Sequence, residues 1–469
     1  MKRIYIIVIA LLSILQAGES TFRKQPYLIY PGSNTQMKIV YQLYDTDSCS
    51  VLWGLDSNTT GGSMLTEEIS IDHRHNAELN GLLPDTKYYY KVSNDSDLYR
   101  GSFTTAPDSN ETAIKFFVYG DTRTYPQDHD KVAEQIIEKY SADSELHSII
   151  LSVGDLVGNG DYEGDWDNQF FNQDYPNIME MLGNLPYQSC IGNHEKSGIL
   201  FKKYFPYPFV NGRYWSFDYG PAHFVVVDQY TNYSTGSEQL NWIENDLSST
   251  DKIWKIMMFH EPGWSAGGHG NEIPVQNYLQ PLCEEYNVQI VFAGHNHYYA
   301  RAEVNDVTHI TTGGGGAPIY SADENYPNIV TATSAHHYCI VSIDNNSLFC
   351  EALDINNSVL DSFTIEHIPE EPVAIRVDEN FPQSFKLEQN YPNPFNASTS
   401  IRYQLPKSSF VNLKVYAVNG EFVDTLINDM QATGYYKIQF NADDLPSGRY
   451  IYRLTAGNKV RTRKMTLVK

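Results

Sequence analysis

Cysteine is scarce in this chain. Its 469 residues include five, Cys49, Cys190, Cys283, Cys339 and Cys350. An odd and scattered set excludes a disulfide framework, and no two are spaced as zinc ligands. Cys339 and Cys350 are placed to face each other across a hairpin, but buried thiols are the expected state. Basic residues are also in short supply, 33 against 57 acidic, for a formal net charge of −24. That excludes nucleic acid as a bulk partner, since phosphate backbones need a basic surface. An anionic substrate must then be drawn by a local positive source. Long apolar runs are nearly absent. The exception, Ile4 to Leu15, follows Lys2 and Arg3 and precedes the small residues Ala17 and Gly18. It is too short to cross a bilayer, so it predicts a secretory signal peptide over residues 1–18 rather than an anchor, and a mature chain with no transmembrane segment.

Aromatics are plentiful, at 13% with 35 tyrosines, which suits β-rich modules. Residues 19–107 hold short alternating runs ("MKIVYQLY", "CSVLWGL", "TKYYYKVS") separated by turn residues, which predicts an N-terminal β-sandwich. "LLPDTKYYYKV" is similar to the tyrosine-corner stretch of a fibronectin type III domain, with Tyr88 at the corner. "APDSNET" reads as a linker. Over residues 113–367 apolar strand runs alternate with helical patterns, which implies a buried, largely parallel α/β sheet. Residues 368–386 are rich in Pro and Glu and read as a second linker. Residues 387–469 alternate again, with Asn-Gly and Ser-Gly turns, and predict a C-terminal β-sandwich.

Five polar clusters in the central segment each follow an apolar strand run: Asp121 in "FFVYGDTR", Asp155 in "ILSVGDLV", Asn193-His194 in "CIGNHE", His260 in "IMMFHEP", and His295 with His297 in "VFAGHNH". Groups beyond the carboxyl ends of parallel strands converge on one crevice. Oxygen and imidazole donors without thiolate suit Zn, Mn or Fe. The set exceeds what one ion needs, and fits two ions about 3.5–4 Å apart that share a carboxylate and clamp a phosphoryl transfer.

In that order, "GD…GD…GNHE…H…GHNH" resembles the calcineurin-like metallophosphoesterases, and the fibronectin-like module in front makes the resemblance closer to the purple acid phosphatases. It covers roughly Gln25 to Ile365 and implies an αββα sandwich for the central domain. It also implies that Asp155 bridges two metal ions, that Asn193, His260 and His295 hold the second, and that Asp121 and His297 hold the first. His194 is implied as a catalytic general acid or hydrogen-bond donor beside the leaving group, and Glu195 as the group that orients it. The implied chemistry is in-line attack on phosphorus by a metal-bound hydroxide.

The chain departs from that family in one place. Most members have His two residues after the first Asp; here Arg123 stands there. Purple acid phosphatases supply a Tyr three residues after the second Asp; here it is Gly158. The first ion is then weakly held, or completed by water or Asn159. Arg123 is always charged, so it is expected either to bind the substrate phosphate in a bidentate fork or to replace one ion altogether.

Other features carry less. Gly263 to Gly270 reads as a mobile loop in which His269, like nearby Glu272, is as much a solvated residue as a substrate contact. "TTGGGGAP" lacks the ending of a nucleotide P-loop and is expected to let backbone approach the site closely. His336 and His337 are expected in packing. Tyr298 and Tyr299 are read equally as crevice wall or core.

Residues 387–469 resemble the C-terminal sorting domain of the type IX secretion system, through "YPNPFNASTSIRY", "VYAVNGEFVDTL", "LPSGRYIYRL" and "RTRKMTLVK". That implies a partner in the outer-membrane secretion machinery of a two-membrane bacterium, and a secreted or cell-surface location. The function expected is a secreted binuclear metal phosphoesterase acting on small phosphomonoesters, as an acid phosphatase does. Phosphodiesterase or nucleotide pyrophosphatase activity is the nearest alternative, and a non-catalytic surface binding module is the alternative of another class.

Overall fold

Alternating burial sets the first module. In Lys87–Ser93 the side chains of Tyr88, Tyr90 and Val92 are buried while Lys87 is exposed, the signature of a sheet with one dry face. Strands Phe22–Ile29, Gln36–Leu43 and Arg74–Asn80 form one antiparallel sheet. Gly62–Thr66, Cys49–Gly54, Lys87–Ser93 and Leu98–Thr104 form the other. Leu28, Ile39, Val51 and Phe103 belong to the core between them. The Tyr88 hydroxyl accepts the Leu83 N–H at 3.0 Å, a tyrosine-corner bond. The computed structural model describes residues 21–45, 48–94, 98–108, 111, 113–143, 149–344, 346–367, 382, 384–443, 445–457 and 459–469. The expected signal peptide, and the expected linker apart from residues 382 and 384–386, lie outside the described residues.

The central segment has two facing sheets, where strand–helix alternation alone suggested one. In the first, Tyr187–Ser189, Ile150–Ser152 and Ile114–Tyr119 run parallel, and His337–Ile343, Ser347–Asp354 and Val359–Glu366 extend them antiparallel. In the second, Ala222–Val226, Trp254–Met258, Ile290–Ala293 and Val307–Thr312 run parallel, flanked by antiparallel Trp215–Tyr219 on one side and Tyr299–Val304 and Ile329–Thr333 on the other. Phe116 and Phe224, one from each sheet, meet edge to face at 5.4 Å. Helices Pro126–Ala142 and Pro176–Asn184 cover the first sheet through Val132, Ile136, Ile178 and Leu182. Helix Glu238–Ser249 and the Val275–Glu285 segment cover the second through Ile243, Leu247, Val275 and Leu279. The layers are therefore αββα.

The β-sandwich packs on the segment that precedes Pro176 and on helix Pro176–Asn184. Lys24 is fully buried, with its ammonium 2.5 Å from Asp167 and 2.7 Å from the Gln42 side-chain carbonyl, and Arg23 reaches the other Asp167 oxygen at 2.6 Å. Tyr90 donates to the Gly183 carbonyl at 2.7 Å.

The chain divides into two compact units, Met1–Ile368 and Pro369–Lys469. The second unit is a β-sandwich of Lys386–Leu387, Ser398–Leu405 and Gly434–Asn441 against Phe422–Gln431, Ser409–Ala417, Gly448–Ala456 and Lys459–Leu467. Gly420, in the Asn-Gly turn between two of these strands, has φ +89°, a conformation open to glycine at little cost.

Candidate metal centre

The parallel strands of both sheets end on one rim. Asp121 follows Ile114–Tyr119, Asp155 follows Ile150–Ser152, and Asn193 follows Tyr187–Ser189. His260 and His295 follow Trp254–Met258 and Ile290–Ala293 of the facing sheet. The chain turns sharply at these ends: Asp121, Asp155 and His295 have φ of +55°, +55° and +64°. Left-handed backbone costs an L-residue roughly 1–2 kcal/mol each, so hydrogen bonds must hold it. The Asp121 carboxylate accepts the His295 N–H at 3.0 and 3.1 Å, and Asp155 Oδ1 accepts the His194 N–H at 2.9 Å. Two motif glycines make room for these carboxylates. A Cβ on Gly192 would lie 2.2 Å from Asp155 Oδ1, and one on Gly294 would lie 2.2 Å from Asp121 Oδ2. In the Gly313–Gly316 run, Gly315 donates to the Gly120 carbonyl at 2.8 Å, so backbone does pass close behind Asp121.

Asp155, His260 and His295 each offer a ligating atom, all within 4.8 Å of one another. Asn193 joins them: its Oδ1 is 3.1 Å from His260 Nε2 and 3.0 Å from His295 Nδ1. His260 Nε2 is 3.3 Å from Asp155 Oδ1. Backbone carbonyls set the ring orientations. His260 Nδ1 donates to Val153 O at 2.7 Å and His297 Nδ1 to Pro318 O at 2.8 Å, so that in the neutral ring each Nε2 carries the lone pair, facing inward. An amide oxygen, a carboxylate and imidazole nitrogens thus converge, a donor set suited to a cation. Burial opposes charge on His260, but Asp155 outweighs it and raises the imidazole to about 10. Burial first, then the neighbouring His260, lowers His295 to about 3. A divalent ion fits this donor set.

The position assigned to a first ion is built differently. His297 Nε2 is 3.5 Å from Asp121 Oδ1, and both side chains are buried. The Arg123 guanidinium is there too, with Nη2 3.3 Å from His297 Nε2 and Nε 3.3 Å from Asp155 Oδ2. Arg123 is therefore at the site. Asn159 is turned elsewhere: it is exposed, and its Oδ1 accepts the Asp161 N–H at 3.2 Å within its own loop.

His194 has its Nδ1 on the Gly158 carbonyl at 2.6 Å, with Nε2 3.9 Å from Asp155 Oδ2. Burial lowers its pKa although Asp155 pulls the other way. The group that orients this imidazole is thus Gly158, and the expected role of Glu195 is corrected. Glu195 is fully buried, and its carboxylate accepts the N–H groups of Asp155 (2.9 Å), Leu156 (2.8 Å) and Gly192 (2.7 Å). It ties two strand ends together. Burial, and then Asp155, push it up to about 7.

Some supporting residues gave no sequence signal. Gln169 Oε1 accepts the N–H of Thr124 at 2.9 Å and of Gly158 at 2.7 Å, which links the Arg123 loop to the carbonyl under His194. Asn296, between the two motif histidines, accepts the His269 N–H at 2.7 Å and donates to Ser265 Oγ at 3.2 Å. Tyr298 accepts the Ala266 N–H at 2.8 Å. The glycine-rich loop is thus cross-braced, and it carries the exposed His269 to 4.1 Å from the His295 ring. Tyr298 and Tyr299 are both buried, and Tyr299 donates to Asp361 at 2.8 Å. His337 is buried against Thr312. Glu272 bonds Tyr233 at 3.3 Å. The five cysteines are buried, and none forms a disulfide.

Residues 114–299 match the calcineurin-like phosphoesterase family, and residues 389–468 match the secretion system C-terminal sorting domain. The first of these matches supports a phosphoric ester hydrolase of the metallophosphoesterase class. Within that class the chain is purple acid phosphatase-like, with a C-terminal sorting domain. It is 26% identical to Purple acid phosphatase 21 of Arabidopsis thaliana over 348 residues, 65% of this chain and 74% of the plant protein. It is also 26% identical to that plant's "Probable inactive purple acid phosphatase 1" over 368 residues, 65% of this chain and 59% of the relative. Among solved structures, purple acid phosphatase PPD1 from yellow lupin (Lupinus luteus) seeds superposes with a TM-score of 0.60 at 20% identity, covering 73% of this chain and 74% of its own. PhoD superposes at 0.61 with 14% identity, covering 74% and 90%. At these identities the structural likeness speaks for the fold. No helix among the described residues is long and apolar enough to cross a membrane.

Proposed function

We propose that this chain is an exported, metal-dependent phosphomonoesterase whose substrate phosphate is met by Arg123 and His194. The observation that carries the reading is the convergence of Asp155, Asn193, His260 and His295 from two different sheets. These four residues would hold the ion. When bound, it supplies Lewis acidity to the phosphoryl oxygens and acidifies a water. Asp121 and His297 line the adjoining position that Arg123 shares.

The chain's own groups account for the rest. Arg123 brings a permanent positive charge to a protein of net charge −24, and so draws a phosphate locally. With Nδ1 donating to Gly158, neutral His194 has an Nε2 lone pair, and the protonated ring is a donor at Nε2. Placed beside the leaving oxygen, it serves as general acid or as a donor to the developing charge. Glu195 acts through backbone, by fixing the turns that carry Asp155 and Asn193. The sorting domain makes the outer-membrane type IX machinery the partner in export, and a secreted or surface location the result.

Hydrolysis of p-nitrophenyl phosphate and of its bis ester, after chelation and re-addition of Mn, Zn or Fe, tests this. Metal-dependent turnover of the monoester is expected. Turnover of the diester alone would make the enzyme a phosphodiesterase, and turnover of neither would favour a surface binding module.

A further inference from the structure

We infer that the Arg123 guanidinium stands where the first of two expected ions would sit, so that this chain uses one metal ion and one fixed organic cation. The inference rests on the phosphoesterase reading of the site. Its basis is who already occupies the first position. Asp121, His297 and the shared Asp155 are the residues assigned to that ion. His297 Nδ1–H donates to Pro318 O, so in the neutral ring Nε2 presents a lone pair, and Arg123 Nη2 lies 3.3 Å from it. Arg123 Nε lies at the same distance from Asp155 Oδ2. An ion would need the single lone pair of His297 Nε2, which Arg123 Nη2 already faces at hydrogen-bond distance, and the ring cannot serve both. Such an ion would also set two cations against each other in a site where both side-chain ligands are almost wholly buried. The two occupants exclude one another. The Asp155, Asn193, His260 and His295 set has a full complement of donors beside it.

The guanidinium is held in place from behind. The Arg123 N–H donates to the Asp155 carbonyl at 3.2 Å, and the next residue, Thr124, has φ +78° and is fixed by Gln169. A guanidinium stays charged at any working pH. Arg123 Nε is buried and has no aligned hydrogen-bond partner. A buried donor left unsatisfied is destabilising, and an arriving phosphoryl oxygen would satisfy it. Arg123 thus supplies the charge and the phosphate contact of the missing ion, but no open coordination position.

Metal counting on the full chain tests this. After saturation with Mn and removal of excess, the wild type should hold about one ion per chain and show an electron paramagnetic resonance signal of isolated Mn. Arg123→His, which adds a ligand as it removes the guanidinium, should hold about two and show a coupled pair. Arg123→Ala, checked for folding by circular dichroism, should likewise bind a second ion. Two ions in the active wild type would overturn the inference and leave the phosphoesterase reading standing. One ion in wild type and in both folded variants would also overturn it, since the guanidinium would not be what excludes the second. No bound ion and no turnover would overturn both.

Discussion

Replacing Glu195 with Gln is the perturbation whose size follows most directly from the structure. The carboxylate is fully buried and accepts three backbone N–H groups at 2.7–2.9 Å. Gln keeps one acceptor. Its best placement leaves the oxygen at the Oε2 position, where Asp155 and Gly192 donate, and turns the amide NH2 against the Leu156 N–H. One buried donor is orphaned at about 1–3 kcal/mol, and two charge-assisted bonds become neutral at a loss of about 1 kcal/mol each. The expected loss is about 3–5 kcal/mol, a large share of the roughly 5–15 kcal/mol that holds a domain folded. Glu195→Ala orphans all three donors and should cost more. The assay is urea unfolding of metal-free protein, since a bound ion adds its own stabilisation, with metal affinity measured separately. Both stability and affinity should fall, because the Asp155 turn is what Glu195 holds. Stability within about 0.5 kcal/mol of wild type, with full metal affinity and a reduced kcat, would refute this and return Glu195 to a direct catalytic role.

Four other expectations follow. Asn193→Ala should lose metal and activity together, as read by elemental analysis and turnover. His194→Ala should keep its metal while kcat falls by about 10²–10⁴-fold, the span of general acid catalysis. Gln169→Leu should also keep its metal and lower kcat, with a shifted pH–rate profile, because it loosens Gly158 beneath His194. His223, bonded to Asp218 at 2.7 Å and Asp246 at 2.9 Å, is raised to about 9; burial opposes the charge, but both carboxylates outweigh it. A folded value above the ordinary 6.5 means that its stabilisation is full below about pH 6.5 and is lost as pH rises through about 9. The full shift would correspond to about 3 kcal/mol, but Asp218 is half exposed, so about 1–2 kcal/mol is expected, and His223→Gln should abolish that pH dependence in urea unfolding.

The convergence of the polar clusters was legible because each lies past a buried apolar strand, and strand ends in such folds share a rim. The pairing of two sheets was legible only through the family resemblance, which implied the αββα layers; strand–helix alternation by itself does not separate them. Ile329–Thr333 is an edge strand with no fully buried residue, so it leaves no alternation to detect, and Tyr299–Val304 follows the last histidine motif directly. The oriented imidazoles were legible only in part. Their partners are the carbonyls of Val153, Gly158 and Pro318, and a carbonyl has no residue-type signal. Glu195 was misread for a related reason: a polar side chain beside a functional histidine looks like chemistry, while its three partners are backbone. The glycine-rich loop read as mobile because Asn296 and Tyr298, which brace it, lie on another element.

The most direct measurement is the metal dependence of p-nitrophenyl phosphate hydrolysis by the full chain and by Asp155→Asn. The account predicts that chelation abolishes turnover, that Mn, Zn or Fe restores it, and that Asp155→Asn loses both bound metal and rate. Turnover that survives complete removal of metal, or an Asp155→Asn variant as active as the wild type, would contradict it.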